Sequence, residues 1–213
     1  MKITPMTFNP FGVFTYILWH EDGKDAFVID PGMMDEFEQG IFSSFIENHN
    51  LNLTKVLLTH MHIDHVMGAQ WVVDNYHATI EYNSMDEILS SRLTEQAIMF
   101  GLKLKLDKLN ADVNLVEGDT LTLNGEKIEV LETPGHSLGS LSFYIPDSGK
   151  IIVGDAVFNM SIGRTDLPGG NYDQLIKSIK EKIMTLPEDT VIYPGHGDCT
   201  TVHDEKMYNP FLK

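Results

Sequence analysis

The chain has 213 residues, 42% of them hydrophobic and 22% charged, with 17 Gly and 9 Pro. Such a composition belongs to a globular protein long enough to bury roughly 70% of its unfolded surface, and it excludes fibrous and disordered classes. Fifteen Lys and Arg against 31 Asp and Glu give a formal net charge of −16, which repels phosphate backbones and excludes nucleic acid as a partner.

The opening, MKITPMTFNPFG, lacks a charged segment followed by an uninterrupted apolar stretch, and no run approaches bilayer-spanning length. The single Cys199 rules out an internal disulfide. A cytoplasmic protein with no membrane partner is expected, built as one domain over residues 1–213.

VFTYILWH (13–20) and DAFVID (25–30) are rich in β-branched and aromatic residues and flank the turn signal EDGK, which predicts a hairpin. Phe37, Ile41, Phe42, Phe45 and Ile46 then recur at helical spacing behind Asp35, a candidate N-cap, predicting a helix to about Asn50. LTKVLLTH reads as a short buried strand that carries His60 to its end. Next come a helix from about Asp64 to Tyr76, a strand near Thr79–Tyr82 and a helical stretch from about Ser84 to Phe100. GLKLKLDKL behind it alternates and fits no single element.

From residue 113 the pattern is of short strands broken at Gly118 and Asn124-Gly125, followed by the strands SLSFYI and KIIVGD. A last helix, about Tyr172 to Thr185, stops before Pro187, and the strand TVIYPGH ends the core. No repeat and no linker-like break interrupts the chain. Strands followed by helices in each half suit two β-sheets packed face to face with helices outside, better than a doubly wound parallel sheet.

Five of the nine histidines stand where an apolar strand runs into a loop: His60, His62 and His65, His136 in ETPGH, and His196 in YPGH. Asp64 joins the first cluster and Asp155 ends IIVGD. Strand ends aim side chains from distant positions into one cleft. His60 and His62, two apart, face one side of an extended segment, while Asp64 and His65 at the helix start address a second centre. Imidazole and carboxylate suit Zn, Fe or Mn, and a carboxylate such as Asp155 can span two ions about 3.5 to 4 Å apart. His20, His49, His77 and His203 lack such company and are read as ordinary hydrogen-bonded residues.

THMHIDH, the TPGH histidine, the GD aspartate and the PGH histidine, in this order and at these separations, resemble the metallo-β-lactamase-fold hydrolases over nearly the whole chain. The resemblance implies an α+β four-layer αββα sandwich. It assigns His60, His62 and His136 to one divalent ion and Asp64, His65 and His196 to a second, with Asp155 bridging. Asp30 in VIDPG matches a position that orients a ligand from behind, its alternative being a turn residue before Pro31.

Within the superfamily, a bridging aspartate sets the chain apart from true β-lactamases, and His62 from the flavodiiron branch, which carries Glu there. SIGRTDLPGGNYDQLIKSI is similar both to glyoxalase II-like enzymes and to persulfide dioxygenases, whereas the tail YPGHGDCTTVHDEKMYNPFL resembles short glyoxalase II-like thioesterases. That likeness implies a hydroxyacyl thioester substrate, two divalent ions, Zn foremost with Fe or Mn as alternatives, and attack by a water activated between them. Asp64 would orient that water. Arg164 matches a basic glutathione-contacting position, but Asp166 and Asp198 stand where flanking tyrosines are expected, so Arg164 either touches substrate or pairs with Asp166. Two other classes stay open: an iron-dependent persulfide dioxygenase, and a ligand-binding protein without catalysis. Cys199 reads as incidental, with no base to activate it.

Overall fold

Alternating segments at the N-terminus build a meander in the computed structural model, which describes residues 1–213. β1 (Lys2–Phe8), β2 (Val13–Trp19) and β3 (Asp25–Ile29) pair antiparallel in succession. β1 was not foreseen: it contains Pro5, which has no N–H to donate and is tolerated because this strand lies at the sheet edge.

α1 (Glu36–Asn48) starts where expected, with the Asp35 carboxylate accepting the Glu38 N–H at 2.9 Å, and buries Phe42 and Ile46. β4 (Asn52–Leu57) then lies parallel to β3. The helix expected over 64–76 is two, α2 (Ile63–Val66) and α3 (Ala69–Tyr76). Gly68 separates them, its N–H donating to the Pro31 carbonyl at 2.8 Å. A Cβ at this position would stand 3.1 Å from that oxygen and 3.0 Å from the Met33 methyl, so a side chain here would be crowded against the Pro31 segment.

β5 (Thr79–Tyr82) lies parallel to β4. The helical stretch expected from Ser84 to Phe100 also divides, into a 3-10 turn (Ser84–Asp86), α4 (Glu87–Ser90) and α5 (Leu93–Met99). Residues 101–109 form no regular element, although Leu102, Leu104, Leu106 and Leu109 pack against the core. β6 (Val113–Asn114) completes a mixed six-stranded sheet in the order β1-β2-β3-β4-β5-β6. These elements make up one compact unit, Met1–Asn114. Val28, Val56, Leu58 and Ile80 are buried in its core, each contributing about 1.5–3 kcal/mol by leaving water.

The second unit, Leu115–Lys213, has its own mixed six-stranded sheet. β7 (Thr120–Leu123) and β8 (Glu126–Glu132) form a hairpin around Asn124-Gly125, both at positive φ as a tight two-residue turn requires. β9 (Leu141–Ile145) and β10 (Lys150–Gly154) follow, then a small separate hairpin of β11 (Val157–Phe158) and β12 (Ser161–Ile162). α6 (Tyr172–Ser178) continues into a π-helical turn, Ile179–Ile183, which together fill the helix expected there.

β13 (Val191–Pro194) pairs parallel with β10, β14 (Thr200–Thr201) pairs with β13, and the sheet order is β14-β13-β10-β9-β8-β7. The core does not end there. α7 (Val202–Tyr208) follows, unread in the sequence because its buried residues are Val202 and the acidic Glu205, which leaves no apolar period to detect. No helix of the chain is long and apolar enough to cross a membrane.

Candidate metal centre

In the first unit the Leu58 N–H still bonds the Glu81 carbonyl, so the chain leaves the sheet at Thr59 and His60 stands just past the strand end. His62, in extended conformation, precedes α2, whose first turn holds Asp64 and His65. Six residues thus bring four donors together. The His60 and His62 rings lie 4.8 Å apart and perpendicular, and those of His60 and His65 are 4.1 Å apart.

Asp30 sets which ring nitrogens face inward. Its carboxylate is buried to 1% exposure at a residue with φ of +51°. One oxygen accepts the Thr59 N–H at 2.7 Å; the other accepts the Thr59 hydroxyl at 2.6 Å and the His65 Nδ1–H at 2.9 Å. Having given its proton to Asp30, the Thr59 oxygen accepts the His60 Nδ1–H at 3.0 Å. Both rings therefore carry their proton on Nδ1 and present Nε2 as a lone pair, the form a metal takes. Asp30 thus supports His65 directly and His60 through Thr59.

Buried polar groups fix the backbone of the same loop. The Asp86 carboxylate accepts the Met61 N–H at 3.1 Å, while the Gln96 amide accepts the Ile63 N–H at 3.1 Å and donates to the Met61 carbonyl at 3.1 Å. Asn9 donates to the Asp64 carbonyl at 2.9 Å. The Asp64 side chain is 16% exposed, and its Oδ2 is 3.6 Å from His65 Nε2. This is too long for a hydrogen bond, and it suits two donors each about 2 Å from a common cation.

The second unit gathers its donors from three separate turns. His136 Nε2 stands 3.6 Å from Asp155 Oδ2, and His196 Nε2 3.8 Å from the same oxygen. His136 donates its Nδ1–H to the Arg164 carbonyl at 2.7 Å, which again leaves Nε2 as the lone pair. His136 is buried, whereas His196 is 26% and Asp155 12% exposed, so the side open to solvent is theirs.

Arg164 meets His136 through its backbone carbonyl. Its guanidinium forms a two-bond pair with Asp166, Nε to Oδ1 at 2.7 Å and Nη2 to Oδ2 at 2.8 Å, on the surface. The hydrogen bonds from Arg164 hold the Asp166 carboxyl at about 2. Cys199 is no nucleophile in waiting: burial and the nearby Asp198 charge push its thiol up, away from the thiolate. Three of the four histidines set aside in the sequence have local roles. His49 stacks on Phe45 with ring centroids 4.2 Å apart, His77 caps α3 in the left-handed region, and His203 pairs with Glu188.

Thr59, Asp86 and Gln96 were missed. Thr59 could have been found, since it directly precedes the histidine string; the other two lie 25 residues or more from their partners and carry no local signal. The donors present, neutral imidazole nitrogens and carboxylate oxygens, fit Zn, Fe or Mn.

A family model described as the metallo-beta-lactamase superfamily matches residues 8–196. The hydroxyacylglutathione hydrolase GloC of Haemophilus influenzae is 40% identical over 100% of this chain and 97% of its own. Among solved structures, the BLEG-1 B3 metallo-beta-lactamase superposes with a TM-score of 0.90 at 31% identity, covering all of both chains. TTHA1623, solved in a di-iron-bound form, does so with a TM-score of 0.86 at 34% identity, over 98% of this chain and 100% of its own. The chain belongs to the metallo-β-lactamase superfamily and has its α+β fold, as the sequence led one to expect. Within it, the chain is a metallo-hydrolase with a histidine-rich potential metal site.

Proposed function

We propose that residues 1–213 act as one cytoplasmic thioester hydrolase of glyoxalase II type, with two divalent cations, Zn foremost and Fe or Mn as alternatives. His60, His62 and His136 would hold one cation, and Asp64, His65 and His196 the other, with Asp155 shared. The observation that carries this reading is the set of Nδ1 hydrogen bonds on His60, His65 and His136, which turn three separate rings to the same ligating form. The 40% identity to a hydroxyacylglutathione hydrolase over the whole chain supports the substrate class. A small-molecule thioester is the partner, and neither nucleic acid nor membrane enters the scheme.

Bound there, a pair of divalent cations supplies Lewis acidity and a water acidified toward neutral pH. The chain's own residues position the rest. Asp64, on the partly exposed side of its loop, accepts a hydrogen bond from the attacking water and aims it at the thioester carbonyl. A thiolate leaves without an acid to protonate it, so no further donor is required. Arg164 is the proposed substrate contact; Asp166 occupies its Nε and Nη2, which leaves the Nη1 edge to offer.

The test is metal content of the purified protein together with a panel of thioesters that includes S-lactoylglutathione. Two equivalents of metal and turnover of a thioester are expected. β-Lactams belong in the panel because of the 31% identity to a B3 enzyme. A second reading is the iron-dependent persulfide dioxygenase, with which the likeness to ETHE1 from Myxococcus xanthus, TM-score 0.79 at 26% identity over 99% of this chain, is consistent. Oxygen uptake with a persulfide and no thioester turnover would replace the hydrolase with it, and metal without any turnover would leave a binding protein.

A further inference from the structure

α7 lies beyond residue 196, where the family match ends, and its Glu205 is fully buried. A buried carboxylate persists only where donors surround it. Both Glu205 oxygens accept the Met160 N–H at 3.2 Å; one also accepts the Thr200 hydroxyl and the other the Asn209 amide, each at 2.7 Å. Asn209, at the end of α7, also donates to the Ser161 carbonyl at 3.0 Å. The tail helix thus grips two consecutive residues, 160 and 161, from both sides of the backbone.

Met160 lies in the two-residue turn of the β11–β12 hairpin, at φ of +59°, and Ser161 opens β12. That left-handed turn is held from outside rather than chosen by a methionine. Asp155 lies two residues before the hairpin and Arg164 two residues after it, and the Arg164 carbonyl accepts the His136 Nδ1–H. Gly163 closes the base: its N–H bonds the Ala156 carbonyl, and a Cβ there would fall 1.8 Å from the Asp155 carbonyl and 3.1 Å from His136 Nδ1. The hairpin is therefore a short arm tied at both ends, with two of the proposed ligands at its base and α7 at its turn.

We infer that Glu205 and Asn209 are positioning residues that act through this arm to set the Asp155 carboxylate and the His136 tautomer. The inference rests on the metal-centre reading, but its first readout needs neither metal nor substrate. The expected outcome in 15N-histidine NMR of metal-free protein is one His136 tautomer, protonated at Nδ1, in the wild type, and a mixture in Asn209→Ala and Glu205→Gln. With metal supplied, kcat for a thioester should fall ~10-fold in both with KM little changed, the usual effect of loosening a ligand's support. Leu123→Ala is the control, because it removes a buried side chain from β7, at the sheet edge opposite β14, and touches neither α7 nor the hairpin. It should keep the wild-type tautomer and kcat even where its melting temperature falls as far as that of Asn209→Ala.

Asn209→Ala keeps the test alive if Glu205→Gln fails to fold. A wild-type His136 signal and kcat in Asn209→Ala would overturn the inference, as would equal disturbance by Leu123→Ala. If the wild type turns over no thioester while the tautomer shifts as expected, the substrate reading fails and the positioning role stands.

Discussion

The two units position their donors by opposite means. In the first, four donors lie within residues 60–65, and one buried carboxylate, Asp30, orients two of them while Asp86 and Gln96 fix the backbone between. In the second, His136, Asp155 and His196 come from three turns, and His136 is set by a single backbone carbonyl at the base of a hairpin. A contiguous motif can share one support; dispersed donors each need their own. Damage to Asp30 should therefore spread, whereas damage in the second unit should stay local.

Asp30→Asn should have the largest effect. The amide presents two hydrogens where three donors now converge, so His65 and Thr59 lose an acceptor and His60 loses its relay. A fall of ~10–100-fold in metal affinity is expected, read by competition with a chelating dye, and it should affect both ions. A change confined to one ion would break the contrast drawn between the units.

Gln96→Leu comes next. It leaves the Ile63 N–H and the Met61 and Leu89 carbonyls without their amide partner in a buried setting. A loss of about 2 kcal/mol or more is expected in urea unfolding, since each unmet buried group costs about 1–3 kcal/mol. The second unit's proposed ligands should be untouched by it.

The Arg164–Asp166 pair should matter least. The Asp166 carboxyl lies at about 2 in the folded chain, below the ~3.9 of a free aspartate. Its contribution is thus present above about pH 4 and lost as pH falls toward 2. A carboxyl titration by NMR checks this, and because both side chains are exposed, Asp166→Asn should leave the melting temperature unchanged at pH 7. Cys199→Ser should keep full activity, which a thioester assay reads directly.

The same contrast explains what could be read from sequence. The hairpin, the α1 cap at Asp35 and the strands near 79–82 and 141–154 follow from alternation and turn chemistry. The histidine string was legible because its donors are adjacent, and the dispersed donors only by their order and separation. What escaped detection depends on tertiary contact. Gly68 breaks a periodic helix because Pro31 passes beside it, and α7 is tied down by a carboxylate rather than an apolar face. Asp86 and Gln96 look like ordinary helix residues until the loop they hold is in view.

The proposed sharing of Asp155 between two cations is tested most directly by metal equivalents after equilibrium dialysis, wild type against Asp155→Ala. Two equivalents in the wild type and at most one in the variant, with thioester hydrolysis lost alongside, is the predicted result. Two tightly held equivalents and undiminished hydrolysis in Asp155→Ala would contradict it.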